Sequence, residues 1–289
     1  MSDWSTARGE KWVAHLAGME AMLAPVDQPL IEALHLEAPA LIADIGCGGG
    51  ATSIAILRHA PAGSVVHGFD LSPASIEAAR KRTTAVDFQV ADMATAEPPA
   101  QLYDRLVSRF GIMFFENPSG AFANLRRWLA PGGRFAFAVW GPPEENPWRT
   151  TVSDVVGQFI DLPPFDPETP GPFRYADAGN FLRLLEASGF RDIEVKNWRE
   201  LLAIGGGLPP AQAADFAIAS TSSFSERLAE AGPDAHNSAR KALTDRFSGH
   251  LQHGIVKLNA SVHIIGGRRP SSAPGPPARP DSPYAPIPQ

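Results

Sequence analysis

The run Leu41-Ile42-Ala43-Asp44-Ile45-Gly46-Cys47-Gly48-Gly49-Gly50 constrains the chain more than any other stretch. A short apolar strand ends in a carboxylate and breaks at once into a glycine cluster. Gly46 and Gly48 have no Cβ, so they can take positive φ and let backbone amides come close to a ligand. The helix that opens at Ala51 adds partial positive charge at its N-terminus, which suits a phosphate or a carboxylate. Read as G-x-G-x-x-A, with Asp70 in the acidic position about 20 residues on, the segment also satisfies the dinucleotide fingerprint. On its own it points to a nucleoside ligand without choosing among them.

The remaining chain alternates short apolar runs with helical patterns, which builds a parallel sheet covered by helices on both faces. The runs place strands at Leu41 to Ile45, Ser64 to Phe69, Asp87 to Val90, Tyr103 to Ser108, Arg134 to Trp140, Ile193 to Trp198 and Ile255 to Ile265. Ser72-Pro73 and Asn117-Pro118 place a capping side chain ahead of a first-turn proline, while Pro131-Gly132 and Ser188-Gly189 are terminators. Trp12, Leu16, Met19 and Leu23 recur at helical spacing ahead of the first strand. An alanine-rich region of about residues 205–254 places a helical insertion between the last two strands.

The motifs in their order resemble the class I S-adenosylmethionine-dependent methyltransferases. Asp44-Ile45-Gly46-Cys47-Gly48-Gly49-Gly50 is similar to that family's first motif. Gly68-Phe69-Asp70-Leu71-Ser72 looks like the end of its second strand, and Val90-Ala91-Asp92-Met93 like the end of its third. Tyr103 to Phe110 looks like the fourth strand, and Arg126 to Phe135 like the helix, Pro-Gly-Gly turn and fifth strand. The resemblance covers roughly Trp4 to Arg268, most firmly in the first half. It implies a seven-stranded Rossmann-like α/β domain over residues 1–269, followed by a disordered proline-rich tail over 270–289. The tail's composition also argues against a packed structure.

The resemblance implies S-adenosylmethionine as cofactor and assigns residues to it. Asp44 would orient the amino end of the methionine moiety, with Gly46 and Gly48 permitting close approach. Asp70 would accept from both ribose hydroxyls, which suits the two oxygens of a carboxylate. Leu71 would pack on adenine, Asp92 would accept from its amine, and Met93 would offer a backbone amide and an apolar wall. For Asp92 a helix cap is the rival reading. Ile45, Cys47, Ala91 and Ser108 complete the cofactor set. Arg109, Phe110 and Trp140 would face the acceptor, and Trp4 and Trp12 would belong to an N-terminal lid; core packing explains the aromatics equally well.

Methyl transfer to a good nucleophile needs in-line geometry and exclusion of water more than acid catalysis, so no catalytic residue is identified, and none of the histidines is singled out as a base. Two patterns narrow the acceptor. The fourth strand ends in Ser108-Arg109-Phe110-Gly111 rather than the Asn/Asp-Pro-Pro-aromatic tetrad of adenine or glutamine amino methylation. Cys47 is the single cysteine and lies in the glycine loop, which excludes the cytosine-C5 type, an intrachain disulfide and a cysteine-rich metal site.

Composition enters where partners are concerned. A net charge of −6 over 289 residues lacks the basic footprint of nucleic-acid binding. No apolar run is long enough to span a bilayer, and Asp3 and Glu10 replace a signal peptide's basic cap, so a cytoplasmic location is expected. A small organic acceptor is the expected partner, and a homodimer is allowed. A non-catalytic binder of the same cofactor and a nicotinamide-dependent oxidoreductase are the competing functions.

Overall fold

The computed structural model describes residues 7–164 and 166–271. Trp4 and the tail beyond Ser271 lie outside the described residues. Helices α1 (Ala7–Ala14), α2 (Leu16–Leu23) and α3 (Asp27–Glu32) precede strand β1 (Leu41–Ile45). Then follow α4 (Ala51–His59), β2 (Val65–Asp70), α5 (Pro73–Arg80), β3 (Asp87–Val90), β4 (Tyr103–Arg109), α6 (Pro118–Trp128) and β5 (Leu129–Trp140). The second half adds α7 (Pro147–Val156), α8 (Ala178–Ala187), β6 (Arg191–Ala203), α9 (Pro210–Ala219), α10 (Ser222–Ala231), α11 (Pro233–Ser248), β7 (Leu251–Gln252) and β8 (Ile255–Arg268).

The main strand order is β3-β2-β1-β4-β5-β8-β6, with the two-residue β7 paired to β8. Strands β1 to β5 pair in parallel, whereas β8 runs antiparallel to both β5 and β6. The α/β class and the helical insertion before the last strands are as the sequence predicts. The wholly parallel sheet is not. A run buried on both faces reads the same in either direction, and β8 is such a run, buried almost continuously from Val256 to Ile265.

Other boundaries differ for local reasons. The Pro131-Gly132-Gly133 turn does not end before β5 but lies within it as an irregularity between the pairs at Tyr103 and Arg105. Gly132 takes φ +79°, and its N–H donates to Arg269 O at 2.9 Å. The helix expected across Trp12 to Leu23 breaks at His15, whose N–H turns back to Trp12 O at 3.1 Å. The break lets α2 lie against α9 so closely that a Cβ on Gly18 would sit 2.6 Å from the Phe216 ring.

The caps form as the sequence predicts. Ser72 Oγ accepts from Ser75 N–H at 3.2 Å, and Asn117 Oδ1 accepts from Gly120 N–H at 3.1 Å. The core runs on both sides of the sheet, with Phe122, Phe135, Phe137, Phe181 and Phe190 fully enclosed; each such side chain contributes roughly 1.5–3 kcal/mol of burial. Chain order reverses between β1, which feeds β2, and β4, which feeds β5. The crevice at the carboxyl ends of these strands is where open α/β sheets bind ligands.

Candidate functional site

The floor of that crevice is backbone. Gly46, Gly48 and Gly50 take φ of +70°, +54° and +82°, a coiled path that side chains resist and that delivers the N-terminus of α4 to the cleft. Gly46 meets Gly111, in the loop after β4, without an intervening side chain. A Cβ on Gly46 would lie 2.8 Å from Gly111 Cα, and one on Gly111 would lie 2.8 Å from Ile45 O. Ser108 sits behind this crossing and donates from Oγ to Ile45 O at 2.6 Å.

The carboxylates lie on one side of the floor. Asp44 is 1% exposed; its Oδ2 accepts from Ser53 Oγ at 2.6 Å, while Oδ1 has no hydrogen-bond partner among the described residues. Burial pushes its carboxyl up to about 7, only partly offset by the Ser53 hydrogen bond and the Arg109 charge. A buried acceptor without a donor is costly unless a ligand supplies one. Asp70 is held differently. Gly48 N–H donates to Oδ2 and Ser72 N–H to Oδ1, each at 2.8 Å, so the carboxylate plane is fixed while each oxygen keeps acceptor capacity. Burial still raises its pKa, against the pull of those two bonds. Asp92 is exposed at the rim and accepts from Ala94 N–H at 3.0 Å and Thr95 Oγ1 at 3.2 Å.

Cations and aromatics occupy the other side. Arg109 pairs with Asp27 at 3.1 Å, and Thr52 Oγ1 donates to the other oxygen of Asp27 at 2.9 Å, tying β4, α3 and α4 together beneath the cleft. Phe110 stacks on Trp140 with ring centroids 4.2 Å apart and planes 8° apart, and Trp140 meets Trp148 at 4.5 Å. Phe110 holds φ +66°, an uncommon conformation for a bulky residue. Over these groups close α1 and α2 from one side and α7 and α10 from the other. A Cβ on Gly48 would lie 3.4 Å from the Trp12 indole nitrogen, and Lys11 of α1 pairs with Glu226 of α10. The cavity between them is about 620 Å³ and opens to solvent at its rim.

Asp44, Ile45, Gly46, Cys47, Gly48, Asp70, Leu71, Ala91, Asp92 and Met93 all line this one cavity, as do Trp12, Arg109, Phe110 and Trp140. Ser108 is the exception and corrects the expectation for it: fully buried, it holds the end of β1 and does not reach the cavity. Asp92 lines the cavity and closes a local turn through Ala94 and Thr95, but it caps no helix. Sequence reasoning misses Asp27, Thr52, Gly111 and Arg149. Asp27 belongs to α3, which has no clear start signal, and Arg149 reaches the cavity only because α7 folds back over β5. Among the described residues no histidine lines the cavity, and no three His, Cys, Asp or Glu side chains are arranged for a metal. His67 bonds the Tyr103 hydroxyl at 2.7 Å, and His263 is held between Asn197 Oδ1 and Ala176 O.

The fold is a Rossmann-like α/β sheet with a cavity at the carboxyl ends of its strands. The family motifs are matched directly: residues 42–133 fit the family model described as a methyltransferase domain. Trans-aconitate 2-methyltransferase of Methylobacterium nodulans is 31% identical over 169 residues, covering 57% of this chain and 58% of that protein. The trans-aconitate 2-methyltransferase of Acidovorax sp. is 33% identical over 137 residues, covering 47% and 49% respectively. The chain thus spans about half the length of the curated relatives it matches. Among solved structures, the YcgJ protein from Bacillus subtilis shares the fold with a TM-score of 0.54 at 16% identity, covering 86% of this chain and 100% of that one. Haemonchus contortus phosphoethanolamine N-methyltransferase 2, solved with S-adenosylhomocysteine, aligns with a TM-score of 0.51 at 15% identity, covering 88% and 56%. Among the described residues no helix is long and apolar enough to cross a membrane.

Proposed function

We propose that this chain is an S-adenosylmethionine-dependent methyltransferase acting on a small organic acceptor. The observation that carries the reading is the orphaned, buried Oδ1 of Asp44 beside the glycine floor, in the same crevice as the backbone-braced carboxylate of Asp70. An ammonium is the natural donor for the first, and a vicinal diol for the second. The residues therefore fit a nucleoside that carries an amino acid. When bound, S-adenosylmethionine supplies a methyl group on a sulfonium, which leaves as a neutral thioether and needs no proton. Asp44 holds the amino end, Asp70 fixes the ribose, and Leu71 and Met93 flank the base. Phe110 and Trp140 wall the acceptor side and keep water from the reacting methyl. The protein's contribution is orientation and exclusion of water rather than a charged catalyst.

The methyltransferase-domain match favours this reading over hydride transfer by a nicotinamide enzyme and over a non-catalytic sensor. The test is parallel calorimetric titration with S-adenosylmethionine, S-adenosylhomocysteine and NADH. Binding of the sulfur nucleosides alone is expected, and binding of NADH alone would overturn the reading. Asp70→Ala should weaken S-adenosylhomocysteine by about 1–3 kcal/mol through loss of charge-assisted hydrogen bonds. Unchanged affinity would remove Asp70 from the ribose site.

A further inference from the structure

Apart from Glu20, which pairs with Arg82, and the exposed Glu116 after β4, the cavity's carboxylates lie to one side. Asp44, Asp70 and Asp92 lie at the ends of β1 and β2 and just beyond β3, whereas Arg149 projects from α7, beyond the end of β5 on the opposite flank of the sheet. The cavity's other cations are matched: Lys11 to Glu226 and Arg109 to Asp27. Among the described residues Arg149 has no carboxylate partner. Its guanidinium lies over the Phe224 ring, 4.1 Å from the centroid, and donates from one nitrogen to Ser153 Oγ at 2.7 Å.

This arrangement differs from the chain's structural arginines. Arg80 donates to Phe88 O, Arg105 to Leu34 O and His35 O, and Arg269 to Arg126 O and Leu129 O. In each case the guanidinium is committed to backbone carbonyls. Among the described residues Arg149 bonds no carbonyl with its guanidinium, so most of its five N–H donors are uncommitted there. Desolvation draws it down to about 10, so it remains a cation at neutral pH and is held where an anion would lower its cost.

We propose that Arg149 anchors a carboxylate of the acceptor, so that the acceptor is an organic acid with a flat, apolar body. The proposal rests on the methyltransferase reading and deepens it. The Phe224 face and the Ser153 hydroxyl set the guanidinium plane, which leaves its fork for a bidentate carboxylate. The neighbouring Trp148, tilted by 42° against Trp140, which stacks on Phe110, adds an aromatic wall for the body. One cation flanked by hydroxyls rather than by a carboxylate partner matches a monoanion. A phosphate dianion would leave charge uncompensated.

The test uses the full chain and three probes with one flat body: 2-naphthoate, 2-naphthamide and 2-naphthyl phosphate. Each is titrated with and without saturating S-adenosylhomocysteine. The wild type should bind the acid roughly tenfold or more tightly than the amide, and Arg149→Met should reduce that ratio to within about twofold. Arg149→Lys should keep a weaker preference for the acid, because it restores charge without the fork. Equal affinity for acid and amide, no binding of the acid, tighter binding of the phosphate, or a preference that survives Arg149→Met would each overturn the proposal. The S-adenosylhomocysteine titration separates this failure from that of the parent reading. If the nucleoside binds wild type and Arg149→Met alike but acid preference is absent, only the anchor falls. If the nucleoside does not bind and the Arg149-dependent preference persists, the anchor stands and the methyltransferase reading falls.

Discussion

Asp44 carries a titration with two opposite consequences. Its pKa rises from an unfolded value of about 3.9 to about 7 in the folded chain, mainly by burial. The ligand-free folded state therefore keeps a proton that the unfolded state gives up, and Asp44 contributes stability that is fully present below the unfolded pKa and lost as pH rises through about 7. An ammonium ligand asks for the ionised form, so nucleoside affinity should change in the other direction. It should rise with pH up to about 7, by at most about tenfold per pH unit. Asp44→Asn should flatten both profiles. Urea midpoints of ligand-free protein at pH 5 and 8, with S-adenosylhomocysteine titrations between pH 5.5 and 7.5, read the two effects separately. A wild-type affinity independent of pH would detach Asp44 from the ammonium.

At the scale of elements, the crossing of the β1 and β4 loops is the most exacting contact. Gly46→Ala places a Cβ 2.8 Å from Gly111 Cα and holds an L-residue at φ +70°, a conformation costing roughly 1–2 kcal/mol before the clash. The expected result is a nucleoside affinity more than tenfold weaker with the sheet intact, read by titration alongside far-ultraviolet circular dichroism. Retained affinity would show that the crossing can open without disturbing the site. The glycine loop was legible because its requirement is local: no other residue takes those backbone angles so freely. The same holds for the caps at Ser72 and Asn117, where a side chain and the following proline act within one turn. Strand direction was not legible, because β8 is buried on both faces from Ala260 to Ile265 and such a run gives no signal of which way it enters between β5 and β6. The same limit hid Asp27 and Arg149, whose parts in the cleft depend on partners 82 and 75 residues away, Arg109 and Phe224. The strand of Ser108 is legible in the motif, but the turn of its hydroxyl toward Ile45 O depends on packing that the motif does not encode.

Across the whole molecule, the cavity is closed by parts from both ends of the described chain. Residues of α1 and α2 cover the glycine loop, and the Lys11–Glu226 pair links α1 to α10. Arg82 adds a second tie, donating both to the Glu20 carboxylate and to Gly49 O at 2.7 Å. Exposed ion pairs of this kind hold weakly, so entry can proceed by parting the cover while the sheet stays fixed. Hydrogen exchange should show β1, β4, β5 and β8 as the slowest segments, and α1 and α10 among the fastest. S-adenosylhomocysteine should slow exchange most in residues 7–23 and 46–54. Protection spread evenly over the sheet would argue against a separately opening cover. The floor has a consequence of a different kind. Gly46 and Gly111 meet main chain to main chain, so that part of the cleft offers almost no alphabet to vary, while Trp148, Arg149, Val152 and Ser223 present side chains to the same space. A library confined to α7 and α10 would therefore explore new chemistries for the guest while the foundation beneath it remains fixed.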